Sequence, residues 1–442
     1  MTTERGLPER VERYLAGLPG GRIGSRVDRR AVTRVGALMS ALGDPHLAHP
    51  VIHVTGTNGK GSTTAMIAAL LRAEGLRVGA YTSPHLEQIT ERVSFDNGPM
   101  EAERFADAVD RTAAVARRRR ITPTWFEAVT AASFLLLGEA PLDVCVIEVG
   151  MLGRVDATNV VHGTVAVVTN VELDHTERAG PTRSAIAYEK AGIVEPGSTL
   201  VLGETDPRLR HLFEARRPES ILTRDHELVA GQTTGGPYGS VLDLATPWAV
   251  HRAVTVGLAG EHQCDNALLA VGAAEAYLQR PMATETVDRA LTSARVPGRL
   301  EIVQDRPTVV IDGAHNPAGA GALARATSRL FAGAAPRVFV CGMRAGRSAA
   351  AFLHELSIAP EGWLIATEPR APQAMPAVAL AEAALRLGVR SVVIPDVSEA
   401  LQTAIRIAGA GGIVIGTGSH YLVAAFRAAV SHSDGFARTA SG

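Results

Sequence analysis

Lysine is all but missing from this chain. Of 44 basic residues only Lys60 and Lys190 are lysine, so arginine supplies generic positive charge. The two exceptions call for what arginine lacks, a compact point charge or, once neutral, a nucleophilic amine. Cysteine is scarce as well. Cys145, Cys264 and Cys341 are odd in number, scattered and without metal-ligand spacing, which gives neither a disulfide framework nor a zinc site and leads us to expect a reducing compartment. No run reaches the roughly 20 apolar residues of a membrane span, and Met1-Thr2-Thr3-Glu4-Arg5-Gly6 leads into charged sequence rather than an apolar signal core. A cytoplasmic protein with no membrane partner is therefore expected. Surplus charge is lacking too. A formal net charge of -1 argues against a nucleic-acid partner bound by broad phosphate neutralisation. The run Arg117-Arg118-Arg119-Arg120 reads as the solvated last turn of a helix, where the helix dipole favours cations.

What is present is apolar sequence, 46% of 442 residues, long enough for two or three domains. The most informative stretch is Thr55-Gly56-Thr57-Asn58-Gly59-Lys60-Gly61-Ser62-Thr63-Thr64. It follows the apolar run Val51-Ile52-His53-Val54 and precedes Ala65-Met66-Ile67-Ala68-Ala69-Leu70-Leu71, so it reads as a glycine-rich turn between a buried strand and a helix. Such a turn cradles phosphate. Glycines let backbone N–H groups approach an anion, the helix offers its positive end, Lys60 adds a mobile charge and Ser62 or Thr63 suits Mg²⁺. The general P-loop pattern is not met, because Val54 stands where its first glycine belongs and Gly61 separates Lys60 from Ser62.

Residues 8 to 42 show a charged helical pattern with Leu15, Val32, Val35, Leu38 and Leu42 on an apolar face. Residues 78–81 read as a strand stopped at Thr82-Ser83-Pro84, and residues 101–119 and 124–138 as helices. The runs ending at Glu148-Val149-Gly150 and Thr169-Asn170 read as buried strands. Ligands collect beyond the C-terminal ends of strands in parallel α/β sheets; Gly56, Ser83, Glu148 and His175 all fall at such ends. From about 221 to 259 the pattern suggests small antiparallel strands, helices return at 264–278 and 283–294, and Arg295-Val296-Pro297-Gly298-Arg299 looks like a linker. Beyond it, Val309–Asp312, Arg337–Val340, Leu364–Ala366, Ser391–Ile394 and Gly412–Ile415 alternate with helical stretches, predicting a second, smaller parallel domain. The fold class is thus α/β: a P-loop-containing parallel-sheet ATPase domain, 1–297, then a smaller Rossmann-like domain, 298–442.

These motifs, in this order, resemble the folylpolyglutamate synthase/dihydrofolate synthase family of the Mur ligase superfamily. The resemblance runs from about residue 30 to 427. It rests on the glycine loop, Thr82-Ser83-Pro84-His85-Leu86, Phe126-Glu127, Asp156-Ala157-Thr158-Asn159, Glu189-Lys190-Ala191-Gly192-Ile193, Gly260-Glu261-His262-Gln263, Asn266-Ala267, Pro297-Gly298-Arg299-Leu300-Glu301 and Asp312-Gly313-Ala314-His315-Asn316-Pro317. It implies an ATP-dependent ligase that phosphorylates the carboxylate of dihydropteroate or a folate and lets the amine of L-glutamate attack the acyl phosphate. A monomer is expected, though the sequence leaves the oligomeric state open. The resemblance further implies ATP contacts from Thr57, Asn58, Gly59, Lys60, Gly61, Ser62, Asn266, Arg299 and Asp312. Ser83, Glu148 and His175 would hold Mg²⁺, two ions being expected, and Phe126, Glu127, Arg154 and Asp156 would hold substrate. Lys60, a carbamylated Lys190 and His315 would serve catalysis. Arginine cannot form that carbamate. For Lys190 the plainer alternative is a salt bridge, for His175 a hydrogen bond at a strand end, and for Asp312 and His315 a turn-forming role.

Two departures stand out. Gly150-Met151-Leu152-Gly153-Arg154 replaces the family's Gly-Leu-Gly-Gly-Arg, and Cys341-Gly342-Met343-Arg344-Ala345-Gly346-Arg347-Ser348 stands where Asp-Lys-Asp is usual. They keep open a relative that adds an amino acid to another carboxylate. A peptidoglycan Mur ligase is disfavoured because about fifty residues precede the loop, too few for a further N-terminal domain. A nucleotide-binding regulatory protein is disfavoured by the retention of both lysines with Glu148 and His175.

Overall fold

Strand β1 (Val51–Thr55) is buried at all five positions, as its unbroken apolar run requires of a strand covered on both faces. In the computed structural model, which describes residues 6–20, 30–95, 98–231, 233–371 and 373–439, β1 lies inside a sheet with β2 (Val78–Tyr81), β3 (Val93–Phe95), β4 (Gly98–Pro99), β5 (Val144–Glu148), β6 (Gly163–Val168), β7 (Thr199–Leu202) and β8 (Ser220–Thr223). The order is β4-β3-β2-β5-β1-β6-β7-β8. β2, β5, β1, β6, β7 and β8 run parallel, and β3 and β4 are an antiparallel edge. β1 therefore has β5 and β6 on either side, and the loops after all three strands open on one crevice, where ligands of such sheets bind.

Helix Lys60–Ala73 follows β1 directly. Its inner face, with Ile67 and Leu71, shares one core with Leu268 and Val271 of helix Glu261–Leu278. Leu242, Leu244, Val254 and Val256 of a small antiparallel sheet complete that core. The small sheet comprises β9 (Val229–Ala230), β10 (Thr234–Gly236), β11 (Gly239–Ala245) and β12 (Val250–Val256). The antiparallel strands expected in this stretch are there, except that its first residues form β8 at the edge of the main sheet. The N-terminal helical stretch is two helices, Glu9–Gly17 and Ala31–Ala41. Leu15, Val35 and Leu38 are buried against helices Ala102–Arg119 and Trp125–Glu139, whereas Val32 and Leu42 are half-buried. The four arginines sit exposed at the end of Ala102–Arg119, Arg120 in the left-handed conformation.

A third sheet of β13 (Glu301–Asp305), β14 (Thr308–Ile311), β15 (Arg337–Cys341), β16 (Trp363–Ala366), β17 (Arg390–Val393) and β18 (Ile413–Thr417) has the order β13-β14-β18-β15-β16-β17. β13 is its antiparallel edge and was not legible, because Glu301-Ile302-Val303-Gln304-Asp305 is only half-buried and polar at both ends. Helices cover both faces of the parallel part and give it two cores. Among the described residues no helix is long and apolar enough to cross a membrane.

Candidate active site

The glycine loop is held by the tail of β6. The Asn58 amide donates to the Asn170 side chain at 3.0 Å, the Asn170 and Thr169 side chains donate back to the Asn58 carbonyl, and Thr57 Oγ1 donates to the Glu172 carbonyl at 3.1 Å. Two glycines are obligatory here. A Cβ on Gly56 would stand 1.7 Å from Thr169 Oγ1. Gly59, at φ 84°, would push its Cβ to 2.3 Å from Asn266 Oδ1, so its left-handed backbone and the close approach of Asn266 both require glycine. Lys60 opens the helix and folds back, its Nζ donating to the Gly56 and Thr57 carbonyls at 3.0 and 3.2 Å. Burial lowers its pKa, and Glu148 opposes that shift. Ser62 is buried two residues on, and the buried Thr63 hydroxyl has no hydrogen-bond partner.

Glu148, at the end of β5, lies over this loop, 3.6 Å from where a Gly61 Cβ would be. Its Oε2 accepts the Ser83 N–H at 2.8 Å. Burial raises its pKa, with Lys60 as the main opposing charge. His175, left-handed at φ 53°, stands on the same cleft. Burial and His315 hold its pKa down at about 3. Among the described residues no three His, Cys, Asp or Glu side chains gather into a metal cluster. The oxygen donors present, the Glu148 carboxylate and the Ser62 and Ser83 hydroxyls, suit Mg²⁺, which keeps several waters and phosphate oxygens as ligands and needs few from protein; the His175 imidazole is a less typical ligand for it.

Lys190, 2% exposed, faces the cleft. Burial and Lys60 push its pKa well below the usual lysine value. The neighbouring Glu189 pairs not with it but with Arg154, at 2.6 Å. A salt bridge from Lys190 to Glu189 is thus absent.

From the far side, the loop after β14 brings Asp312, His315 and Asn316, and the linker brings Arg299. Asp312 is committed to its turn: Oδ2 accepts the Leu300 N–H at 2.9 Å and Oδ1 the Ala314 N–H at 2.8 Å. His315 Nδ1 lies 2.8 Å from the Gly313 carbonyl. A carbonyl only accepts, so Nδ1 carries the proton and Nε2 presents its lone pair; burial lowers the pKa to about 4. Arg299, Asp312, His315 and the glycine loop line one cleft of about 3070 Å³, well beyond the ~300–1,000 Å³ of a single small-molecule site.

Residues 54–274 match the Mur ligase middle domain and residues 298–420 the Mur ligase glutamate ligase domain. A dihydrofolate synthase/folylpolyglutamate synthase of Mycobacterium tuberculosis is 38% identical over 331 residues, 70% of this chain and 68% of the relative. The chain belongs to the folylpolyglutamate synthase/dihydrofolate synthase family of Mur ligases. Among solved structures it resembles Mycobacterium tuberculosis folylpolyglutamate synthase complexed with ADP, at a TM-score of 0.88 and 32% identity over 95% of this chain and 97% of that one. Its likeness to E. coli FolC in complex with DHPP and ADP has a TM-score of 0.85 at 29% identity, over 96% and 97%.

Within this family member, the residues expected to hold substrate divide. Phe126 lines the cleft beside Trp125, with the Arg92 guanidinium 5.0 Å from the Trp125 ring centre and 6.0 Å from that of Phe126. Glu127 is consumed by structure: its carboxylate caps helix Trp125–Glu139 through the Thr124 N–H and pairs with Arg34. Asp156 likewise accepts the Gly150, Met151 and Thr158 amides and the Thr158 hydroxyl, shaping the loop after β5. Arg154 turns away. It pairs with Glu189, lies 5.2 Å over the Tyr188 ring and does not line the cleft. Sequence reasoning passed over Arg92, Trp125, Asn170, Asp174, Asn316 and Arg347. Asn170 and Asp174 could have been found, since both follow the end of β6.

Proposed function

We propose that this chain is an ATP- and Mg²⁺-dependent ligase that joins L-glutamate to dihydropteroate or a folate. The observation that carries the reading is that the phosphate cradle, with Lys60 and Glu148, opens into the same cleft as the aromatic slot of Trp125, Phe126 and Arg92 and as His315 and Arg299 of the second sheet. A planar pterin suits that slot, because aromatic rings and a guanidinium stack on flat heterocycles. The relatives reported above, one of them solved with DHPP and ADP, support the same assignment.

The acid's carboxylate oxygen attacks the γ-phosphorus of ATP, the bond to the β,γ-bridging oxygen breaks and ADP leaves. The glutamate ammonium loses one proton to solvent, its nitrogen then attacks the acyl carbon, the C–O bond to phosphate breaks, and the nitrogen gives up a second proton. Lys60 and the loop amides stabilise charge on the transferring phosphoryl. Glu148, Ser83, His175 and the Ser62 hydroxyl would hold Mg²⁺, which would neutralise developing phosphate charge. Lys190, unpaired with Glu189 and held toward neutrality, is suited to carbamylation, and the carbamate would supply a further anion for a second ion. Asn266, which packs on Gly59, and Arg299 would contact the nucleotide, and His315 Nε2 would take a hydrogen bond from the glutamate ammonium. Asp312 and Asp156 act through the loops they hold, and Glu127 through its helix. We take 1–297 and 298–442 as the working units of a cytoplasmic monomer.

A panel of acids with ATP, Mg²⁺ and glutamate, read by product mass and phosphate release, tests this. A product heavier by one glutamate residue, with phosphate released only when both acid and glutamate are present, is expected. Release with other carboxylates or amines, but not these, would move the enzyme to another substrate, as the Met151-Leu152 departure allows; nucleotide binding without any turnover would leave a regulatory protein.

A further inference from the structure

Asp174 is the one carboxylate of the first unit on which three side chains of the second converge among the described contacts. It is 7% exposed and sits directly before His175. Asn316 Nδ2 donates to its Oδ2 at 3.0 Å and Arg347 pairs with Oδ1, while His315 Nε2 packs 3.6 Å from Oδ2 without a hydrogen bond to it. That Oδ1 also accepts the His175 N–H at 2.7 Å. Asn316 reaches further, with Nδ2 donating to Asn58 Oδ1 at 3.0 Å while its Oδ1 caps helix Pro317–Leu330. One hydrogen-bonded node thus ties the glycine loop, the His175 turn and the His315 turn together. Among the described contacts the guanidinium paired with Asp174 is that of Arg347, from the segment that departs from the family's Asp-Lys-Asp.

We propose that Asp174 and Arg347 are a positioning pair that latches the second unit onto the first and, in the closed state, sets His175 and His315 in register with the glycine loop. Asp174 would be uncompensated without Arg347, since a buried carboxylate that loses its cation costs far more than an exposed one. The latch holds only while the cleft is shut, so its strength enters the closed state alone. The role in turnover rests on the ligase reading above; the closure itself does not.

The test is a double-mutant cycle of Arg347→Gln, Asp174→Asn and the pair, with Arg347→Lys as the conservative variant. Nucleotide affinity, kcat, KM for each substrate and the radius of gyration with and without ATP analogue and Mg²⁺ are measured. Expected are an about tenfold or larger fall in kcat for either single variant, a double variant no worse than the weaker single, partial recovery in Arg347→Lys, and loss of ligand-induced compaction. Nucleotide affinity is read as the check that the glycine loop is intact. Additive effects, or wild-type kcat and compaction in Arg347→Gln, overturn the latch. If the wild type compacts and Arg347→Gln does not, while neither turns over glutamate, the latch stands and the ligase reading falls.

Discussion

The two parallel sheets each end a central strand in a polar loop that enters a helix, and the two loops spend their polar groups in opposite ways. After β1, the loop's carbonyls and side chains are tied back to β6 while Lys60, Ser62 and the helix N-terminus face the cleft. After β14, Asp312 binds two amides of its own unit and Asn316 caps its own helix. The first loop is an anion site, since orphan N–H groups and the helix dipole are left to a ligand. The second is a rigid mount, and what it offers is the His315 imidazole and a linker arginine. A ligase that must hold a nucleotide firmly and bring a second unit to it needs both kinds.

The comparison breaks most sharply at Lys60. Lys60→Ala is expected to lower kcat by about 100- to 1,000-fold with an unchanged circular dichroism spectrum, because the described hydrogen bonds of Lys60 go to its own loop; near-normal turnover in a folded variant would remove the cradle from the chemistry. Lys190→Ala is expected to cost about 10- to 100-fold and to recover in part with formate or acetate, small anions that fit the vacated space. Lys190→Arg should be inactive and not rescued. An unmodified ammonium at Lys190 in a high-resolution map, or a working Lys190→Arg, would end the carbamate reading.

The mount is probed by stability. Asp312→Ala leaves the Leu300 and Ala314 amides without their acceptor and should lower stability by about 1–3 kcal/mol in thermal unfolding without nucleotide. An unchanged melting temperature would show that Asp312 serves the ligand and not the turn. A smaller and shared effect comes from buried imidazoles. Those of His53, His85 and His175 titrate at about 3 and that of His315 at about 4, against 6.5 for a free one, burial being the largest cause in each. The unfolded chain takes up these protons first. Stability is therefore complete above pH 6.5 and falls as the pH is lowered toward 3–4, by up to about 1.4 kcal/mol per pH unit for each imidazole that stays neutral in the fold. Chemical denaturation at a series of pH values checks this. His53→Gln, at a site wholly inside β1 and far from any solvent, should flatten the acid slope by one imidazole's share; an unchanged slope would mean that His53 takes its proton while folded.

Much of this was legible in the chain because it is local. An apolar run, a glycine turn and a helical period within twenty residues fix β1, the cradle and helix Lys60–Ala73, and the same grammar yields β2, β5, β6, β14, β15, β16, β17 and β18. What escaped had two causes. β3 and β13 lie at or next to a sheet edge and are mostly half-buried, so no apolar run marks them, whereas β7, as short as β2, is an inner strand whose apolar Leu200-Val201-Leu202 did mark it and went unread.

The sequence by itself determined the fold class and the glycine-rich cradle between β1 and its helix, because strand, turn and helix preferences act between near neighbours, and it singled out Lys60 and Lys190 among 44 basic residues. Only the tertiary structure decided which carboxylates and cations remain for ligands. Glu127 is taken by Arg34, 93 residues away, Asp174 by Arg347, 173 residues away, and Glu189 leaves Lys190 for Arg154. A buried charge must find its partner wherever the fold brings one, and that choice is made by packing between distant segments, about which the order of residues is silent.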